Sequence, residues 1–387
     1  MRKTLVVSAA LLVLAGCAAA QDNILQDLHL QIHGNLVEGV LYGSGNNYLD
    51  ADTTDGTGLW DEGSLSVTST INDHFRVGAQ ATSWLLGGLG RQNIELDWAY
   101  ADYKFNSWFG IRAGQVKTPF GLYNEVQDVD AVIPWAFLPQ SMYPVDYRSF
   151  TLSQQGGVLY GDLPLGKRGG TISWSAFGGR REERRNEGLV LTLASMGIAL
   201  NNMAGTIGGA DVRWKPVDGL LFGAAYSDTD LYAPHGTFGT IVGPIPFPVS
   251  ESDQQEQIYS QFEKGKWNLS AEYRRTPIRS AYGPEPAVTD IVHSWYVMAS
   301  YRATNKLTLG SYYNDEQLIP PGGGGDNPSN YLKDVTVSSR YDFNRLFYAK
   351  LEGHYMDGNA VGFYAQVKPQ GLQKVTRLLA ARIGFTF

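Results

Sequence analysis

The densest set of residues able to do electrostatic work lies at about 118–154. Glu125, Asp128, Asp130 and Asp146 share this stretch, with Lys117 and Arg148 as the nearby cations. Prolines and aromatics are interleaved with them, among them Pro119, Phe120, Tyr123, Pro134, Trp135, Phe137, Pro139 and Tyr143. So apolar a segment must bury itself to offset the entropy of ordering, and it reads as a connection packed against a surface. Carboxylates fixed on such a loop and faced by fixed guanidinium groups would set a transverse field across a narrow opening. In a low-dielectric frame that field orders water and penalises apolar solutes, so small polar solutes pass best. The constriction set is then Glu125, Asp128, Asp130, Asp146 and Arg148. The facing wall set is Arg76, Arg112, Arg274, Arg340 and Arg382, with Arg302 and Lys350 of the same parity. The competing reading pairs these cations with Glu95, Asp97, Asp211, Glu272, Asp334, Asp342 and Glu352 simply to hold the wall together.

Other chemistry is weaker. The six histidines, His29, His33, His74, His235, His293 and His354, show no metal-ligand clustering, so no metal or cofactor is expected. Pro321 to Gly325 follows no strand-to-helix context and reads as a flexible loop, not a phosphate cradle. The mixed run from Arg180 to Arg185 reads as a solvated external face, with lipopolysaccharide phosphates as a lesser reading.

The elements that must position these groups are strands. Sixteen segments of roughly ten residues alternate apolar and polar, from 28–41 to 375–387, and period-two alternation marks a strand with two different faces. Seven short turns, such as Asn72-Asp73 and Lys264-Gly265, have hairpin composition. Eight longer connections alternate with them, near 43–61, 86–91, 118–154, 180–205, 229–253, 277–289, 317–330 and 358–374. All long loops thus fall at one end, which an even-stranded transmembrane barrel requires. Parity assigns Trp267, Leu269, Ala271 and Tyr273 to one face, and Asn268, Ser270, Glu272 and Arg274 to the other. It likewise groups Ile94, Leu96, Trp98 and Tyr100 against Glu95, Asp97 and Ala99. Trp108, Trp174, Trp214, Trp267 and Trp295 lie near strand ends, where interfacial girdles sit. The fold class is therefore an all-β transmembrane antiparallel barrel of about sixteen strands, with the connection after the fifth strand folded inward.

Both termini agree. Arg2 and Lys3 precede an apolar run from Leu5 to Ala15 and an Ala18-Ala19-Ala20 cleavage site, the layout of a 1–20 signal peptide. Leu14-Ala15-Gly16-Cys17 also resembles a lipobox, so Cys17 is either removed or lipidated. The single domain then spans 21–387 and, cleaved after Ala20, contains no cysteine. The mean hydropathy of -0.21 suits a barrel, which hides half of each strand from lipid. Without Arg2 and Lys3 the chain holds 29 basic against 38 acidic residues, a balance that disfavours nucleic acid as a partner. The chain ends on Phe385-Thr386-Phe387, an aromatic stop that resembles the assembly signal of outer-membrane barrels.

Gly114-Gln115-Val116-Lys117-Thr118-Pro119-Phe120-Gly121-Leu122-Tyr123-Asn124-Glu125, with Phe137-Leu138-Pro139-Gln140-Ser141 and Gly156-Gly157-Val158-Leu159-Tyr160-Gly161, resembles Gram-negative porins of the broad group that includes the phosphate-selective porins O and P. The match covers some fifty residues. It implies a trimeric bacterial outer-membrane channel for passive diffusion of small hydrophilic solutes and ions, and no enzyme. Its partners would be outer-membrane lipid and lipopolysaccharide, the barrel-assembly machinery and further copies of the chain. The acidic loop speaks against the phosphate preference of that group, and an anion-preferring porin stays an alternative. Two rivals come from other classes. A barrel lipid hydrolase needs a serine beside a histidine near the outer rim, and an adhesin or receptor would work through its external loops.

Overall fold

The computed structural model describes residues 29–90, 92–166, 168–185, 187–240, 243–323, 326–363 and 371–387. The expected leader at 1–20 with Cys17, and Gly324 and Gly325 of the glycine run, lie outside them. Among the described residues, sixteen long strands form one antiparallel sheet closed on itself. The first half comprises β1 (Leu30–Ser44), β2 (Thr57–Thr70), β3 (Phe75–Leu86), β4 (Glu95–Asn106), β5 (Phe109–Lys117), β6 (Ser153–Pro164), β7 (Thr171–Arg184) and β8 (Asn202–Val217). The second comprises β9 (Leu220–Ala233), β10 (Val249–Lys264), β11 (Trp267–Tyr282), β12 (Val288–Arg302), β13 (Leu307–Ile319), β14 (Tyr331–Asp342), β15 (Phe347–Gly358) and β16 (Val375–Thr386). Closure is direct: β16 pairs with β1 from Asn35 opposite Thr386 to Ser44 opposite Arg377. The ring of described strands therefore has no unpaired edge.

The outward face is apolar and banded. Along β15, Phe347, Leu351 and Tyr355 are exposed while Tyr348, Lys350, Glu352 and His354 are buried inside. Phe347 to Tyr355 is eight steps, ~27 Å along the strand and ~20 Å of height at a tilt of ~40°, within a lipid-facing apolar belt of ~25 Å. Trp108, Trp214 and Trp267 stand exposed at the short-turn end, beside Phe343 and Phe347. In β11 the expected parity holds, with Trp267, Leu269 and Tyr273 exposed and Ser270 and Glu272 buried.

Three expectations need correction. In β4 the pairing slips, since Gln80 faces Trp98 while Ala81 faces Leu96. That bulge turns Asp97 and Trp98 both inward, so Trp98 leaves the outward face that Leu96 keeps. Second, the run Arg180 to Arg185 is no solvated loop. It is mostly the end of β7, with Arg181 and Glu183 buried inside the barrel. Third, strands extend further into the long-loop end than lipid thickness suggests. β11 runs to Tyr282, leaving only 283–287 where 277–289 read as a loop. Polar residues on both faces of those extensions erase the alternation that marks a strand.

At the long-loop end two apolar clusters cap the wall. One gathers Leu41, Tyr48, Leu49, Leu86, Leu89 and Leu378. The other packs a short helix, α2 (Gly188–Ser195), with Leu200, Met203, Leu231 and Val249. An earlier helix, α1 (Arg148–Leu152), ends the 118–152 connection and leads into β6.

Candidate functional site: the loop inside the barrel

Proline placement and aromatic density send the 118–152 connection to inward-facing side chains around the ring, and the wall grips it through its backbone. Arg213 of β8 donates to Gly121 O at 3.0 Å. Arg274 of β11 donates to Ser141 O at 3.1 Å and Met142 O at 3.2 Å. Arg340 of β14 donates to Ala131 O and Ile133 O. Lys350 of β15 donates to Asp130 O at 2.8 Å and Trp135 O at 2.9 Å. Arg181 of β7 donates to Thr151 O. Charge-assisted bonds of this kind are stronger than neutral ones, so five wall cations hold the path of the loop. In the opposite polarity, Glu352 accepts the N–H groups of Ala136 and Phe137 at 3.0 and 2.9 Å.

Apolar contacts fill the spaces between these polar grips. Trp135 meets Tyr312 edge-on at 5.2 Å, and its ring lies where a side chain on Gly310 would be. Phe137 stacks on Trp60 at 4.6 Å, with planes 8° apart. Tyr143 donates to Glu272 at 2.7 Å. Burial and that carboxylate push the Tyr143 phenol well above its usual range.

The carboxylates of the constriction set fall into two groups. Asp128, Asp130 and Asp146 are at most 2% exposed. Asp128 accepts from Lys117 at 2.7 Å, from Gln80 and from Trp98. Asp130 sits between Arg382 at 2.6 Å and Lys350 at 2.9 Å, and accepts from Tyr348. Glu125 stands apart, a third exposed, 3.4 Å from the half-buried Arg213. Arg148 is buried between Asp97 at 3.0 Å and Glu62 at 3.6 Å. Burial works against its charge, but Asp97 and Glu62 outweigh that and hold it firmly protonated.

Of the wall set, Arg382 contacts Asp130 and Glu62 and lies 4.4 Å over Trp60. Arg274 and Arg340 hold the loop as described. Arg76 and Arg112 share Asp102 at 3.1 and 3.4 Å on the short-turn side, where Arg112 also lies over Tyr100 and Tyr160. A cavity of about 150 Å³ there is lined by Arg112, Glu125, Tyr160, Asp211 and Arg213. Arg213 and Arg181 escaped the sequence reading. Inward parity along β8 was the signal that could have found Arg213, whereas Arg181 lay in the charged run read as a solvated face, where parity does not show.

Burial opposes ionisation of Asp130, yet Arg382 and Lys350 more than compensate and hold its carboxyl below the usual range. A depressed folded value gives stability above the unfolded value, lost only as pH falls through the folded one. The melting temperature in detergent is therefore expected to keep the Asp130 contribution through the ordinary carboxylate range, around pH 4, and to lose it below. A variant with asparagine at 130 should lack that acid limb.

The architecture defines a class: a sixteen-stranded barrel with a polar inside, a banded apolar outside and a pinned internal loop. No family model and no curated protein matches the chain. Solved structures do. The outer-membrane protein OmpT of Vibrio cholerae aligns with a TM-score of 0.63 at 11% identity, covering 92% of this chain and 97% of that one. The outer-membrane channel DcaP of Acinetobacter baumannii gives 0.56 at 10% identity over 92% and 97% of the chains. An anion-selective porin from Comamonas acidovorans gives 0.56 at 10% identity over 92% and 99%. The fold is that of outer-membrane porin barrels.

Proposed function

We propose that the protein is a bacterial outer-membrane porin through which small hydrophilic solutes and ions diffuse passively. The observation that carries this reading is the inward loop, bound at its backbone by Arg181, Arg213, Arg274, Arg340 and Lys350 inside a polar wall. Export through the 1–20 leader, insertion by the barrel-assembly machinery reading Phe385 and Phe387, and assembly as a homotrimer belong to the same proposal. The trimer is supported by an OmpT structure described as a trimer form. Kinship with the group of the phosphate-selective porins O and P rests on the motif at 114–125, 137–141 and 156–161, with the strand rhythm and the terminal phenylalanine. Liposomes carrying the purified protein should swell in small sugars and amino acids. Impermeable liposomes would refute the porin reading.

The field at the opening is assigned to Glu125 and Arg213, with Arg112 across the cavity. Glu125→Gln is expected to shift the reversal potential in a salt gradient toward anions, and Arg213→Gln toward cations. Unchanged reversal potentials in both variants would remove these residues from the conduction path.

A further inference from the structure

Of the six histidines only His354 is buried, and its side chain is fully shielded. It stands one inward position beyond Glu352 on β15, where strand alternation aims Lys350, Glu352 and His354 into the lumen together. The first two grip consecutive residues of the loop. Lys350 donates to Trp135 O, and Glu352 accepts from Ala136 N and Phe137 N. Tyr312 of β13 adds a donor to Phe137 O at 3.3 Å. His354 meets the loop through the Phe137 ring, edge-on with centroids 5.9 Å apart. Its polar contacts run between two carboxylates: Nε2 lies 3.1 Å from Glu352 Oε1, and Nδ1 lies 3.0 Å from Asp334 Oδ2 of β14.

Those two contacts fix the charge of the ring. Glu352 accepts a backbone N–H on each oxygen, Ala136 on Oε2 and Phe137 on Oε1, and so acts as a carboxylate. Nε2 must therefore donate to it. Nδ1 faces Asp334 at hydrogen-bond distance, which requires a second proton between them. Imidazole is the stronger base of that pair, so the nitrogen carries the proton and the ring is an imidazolium. Thr336, opposite His354 in the ladder with Oγ1 3.0 Å from Nδ1, donates to the same Asp334 oxygen at 3.1 Å. Asn314 of β13 does so at 3.2 Å. Further titratable neighbours are Tyr312, edge-on to the ring at 6.2 Å, Tyr48 near Asp334, and Lys350, which is bound to Asp130.

We propose that the imidazolium of His354 is a positioning residue of the channel, fixing the Glu352 carboxylate so that residues 135–137 of the loop stay against the wall. Glu352 holds Ala136 N and Phe137 N only while it is ionised, because a protonated carboxyl would turn a donor toward donors. A cation in hydrogen-bond contact opposes that protonation. Acid therefore releases the segment, and His354 delays the release. The link from this segment to the width of the opening rests on the porin reading.

The first test needs no variant. In the detergent-solubilised protein with 15N-labelled histidine, one ring should keep both N–H groups at about pH 8, where the exposed histidines have lost one. Six singly protonated rings overturn the proposal. The second test uses His354→Gln, checked for the heat-modifiable gel shift of a folded barrel. Protection of the Ala136 and Phe137 amides from hydrogen exchange should fall about tenfold relative to wild type at the same pH. Unchanged protection in the folded variant overturns the positioning role. In planar bilayers His354→Gln should open on acidification about one pH unit above wild type. Lost protection with a conductance profile identical to wild type would overturn the claim that this segment sets the opening. Lost protection in a protein whose wild type conducts no potassium chloride would keep the positioning role and refute the porin reading.

Discussion

Replacing Asp130 with alanine is expected to lower the unfolding midpoint sharply and to raise single-channel conductance. The carboxylate joins Arg382 at 2.6 Å, Lys350 at 2.9 Å and the Tyr348 hydroxyl at 2.7 Å in a fully buried site. Its removal leaves two cations with insufficient counter-charge, and breaking a buried pair from one side costs ~3–5 kcal/mol. Glu62 still contacts Arg382, at 3.4 Å, so the loss falls mainly on Lys350. That lysine also holds Asp130 O and Trp135 O. Loosening it frees the loop between its grips at Arg340 and Glu352. The sheet itself is untouched, because every pairing of β15 and β16 is backbone to backbone. The expected signature is therefore split: a barrel that still folds, melts lower and conducts more. A variant that melts lower at unchanged conductance would show that this anchor does not hold the opening. Arg382→Gln in a double-mutant cycle should show strong coupling, since the two groups share one network.

The ring was legible because lipid and lumen impose opposite demands on alternate residues. Where both faces meet similar surroundings that signal vanishes. Arg180 to Arg185 looked like a solvated run because every position in it is charged, so hydropathy does not alternate. Only pairing along β7 shows Arg181 and Glu183 turned inside. The bulge at Asp97 and Trp98 was illegible for a sharper reason. One extra residue flips every later side chain, and no composition rule marks its position.

The loop shows the same limit at the site. Its acidity and aromatic density announced an ordered segment and suggested charges lining an opening. Asp128 finds Lys117 eleven residues away, but the partners of Asp130 and Glu125 lie more than eighty residues away. Asp130 meets Arg382, while Glu125 meets Arg213. Backbone carbonyls, which carry no sequence signal, turn out to be the main receivers of the wall cations.

Deleting Phe387 should separate folding from assembly. The terminal residue closes the seam through two backbone bonds, its N to Gly34 O and Gly34 N to its O, both 3.1 Å. Its ring lies where a side chain on Gly34 would stand, and it packs on Phe385, which meets Phe347. Gly34 is thus held to glycine by the last residue of the chain. Phe387 is 39% exposed, so its loss in detergent is expected to cost ~2–3 kcal/mol, below the range for a fully buried phenylalanine. Refolding in vitro should survive, because ten further residue pairs join β1 to β16. In cells the outcome should be far more severe if Phe387 is also read during assembly: little protein in the outer membrane and degradation in the periplasm. Phe387→Tyr keeps the ring over Gly34 and should restore the outer-membrane level. Equal losses in detergent and in cells would reduce Phe387 to a seam residue and leave the assembly signal elsewhere.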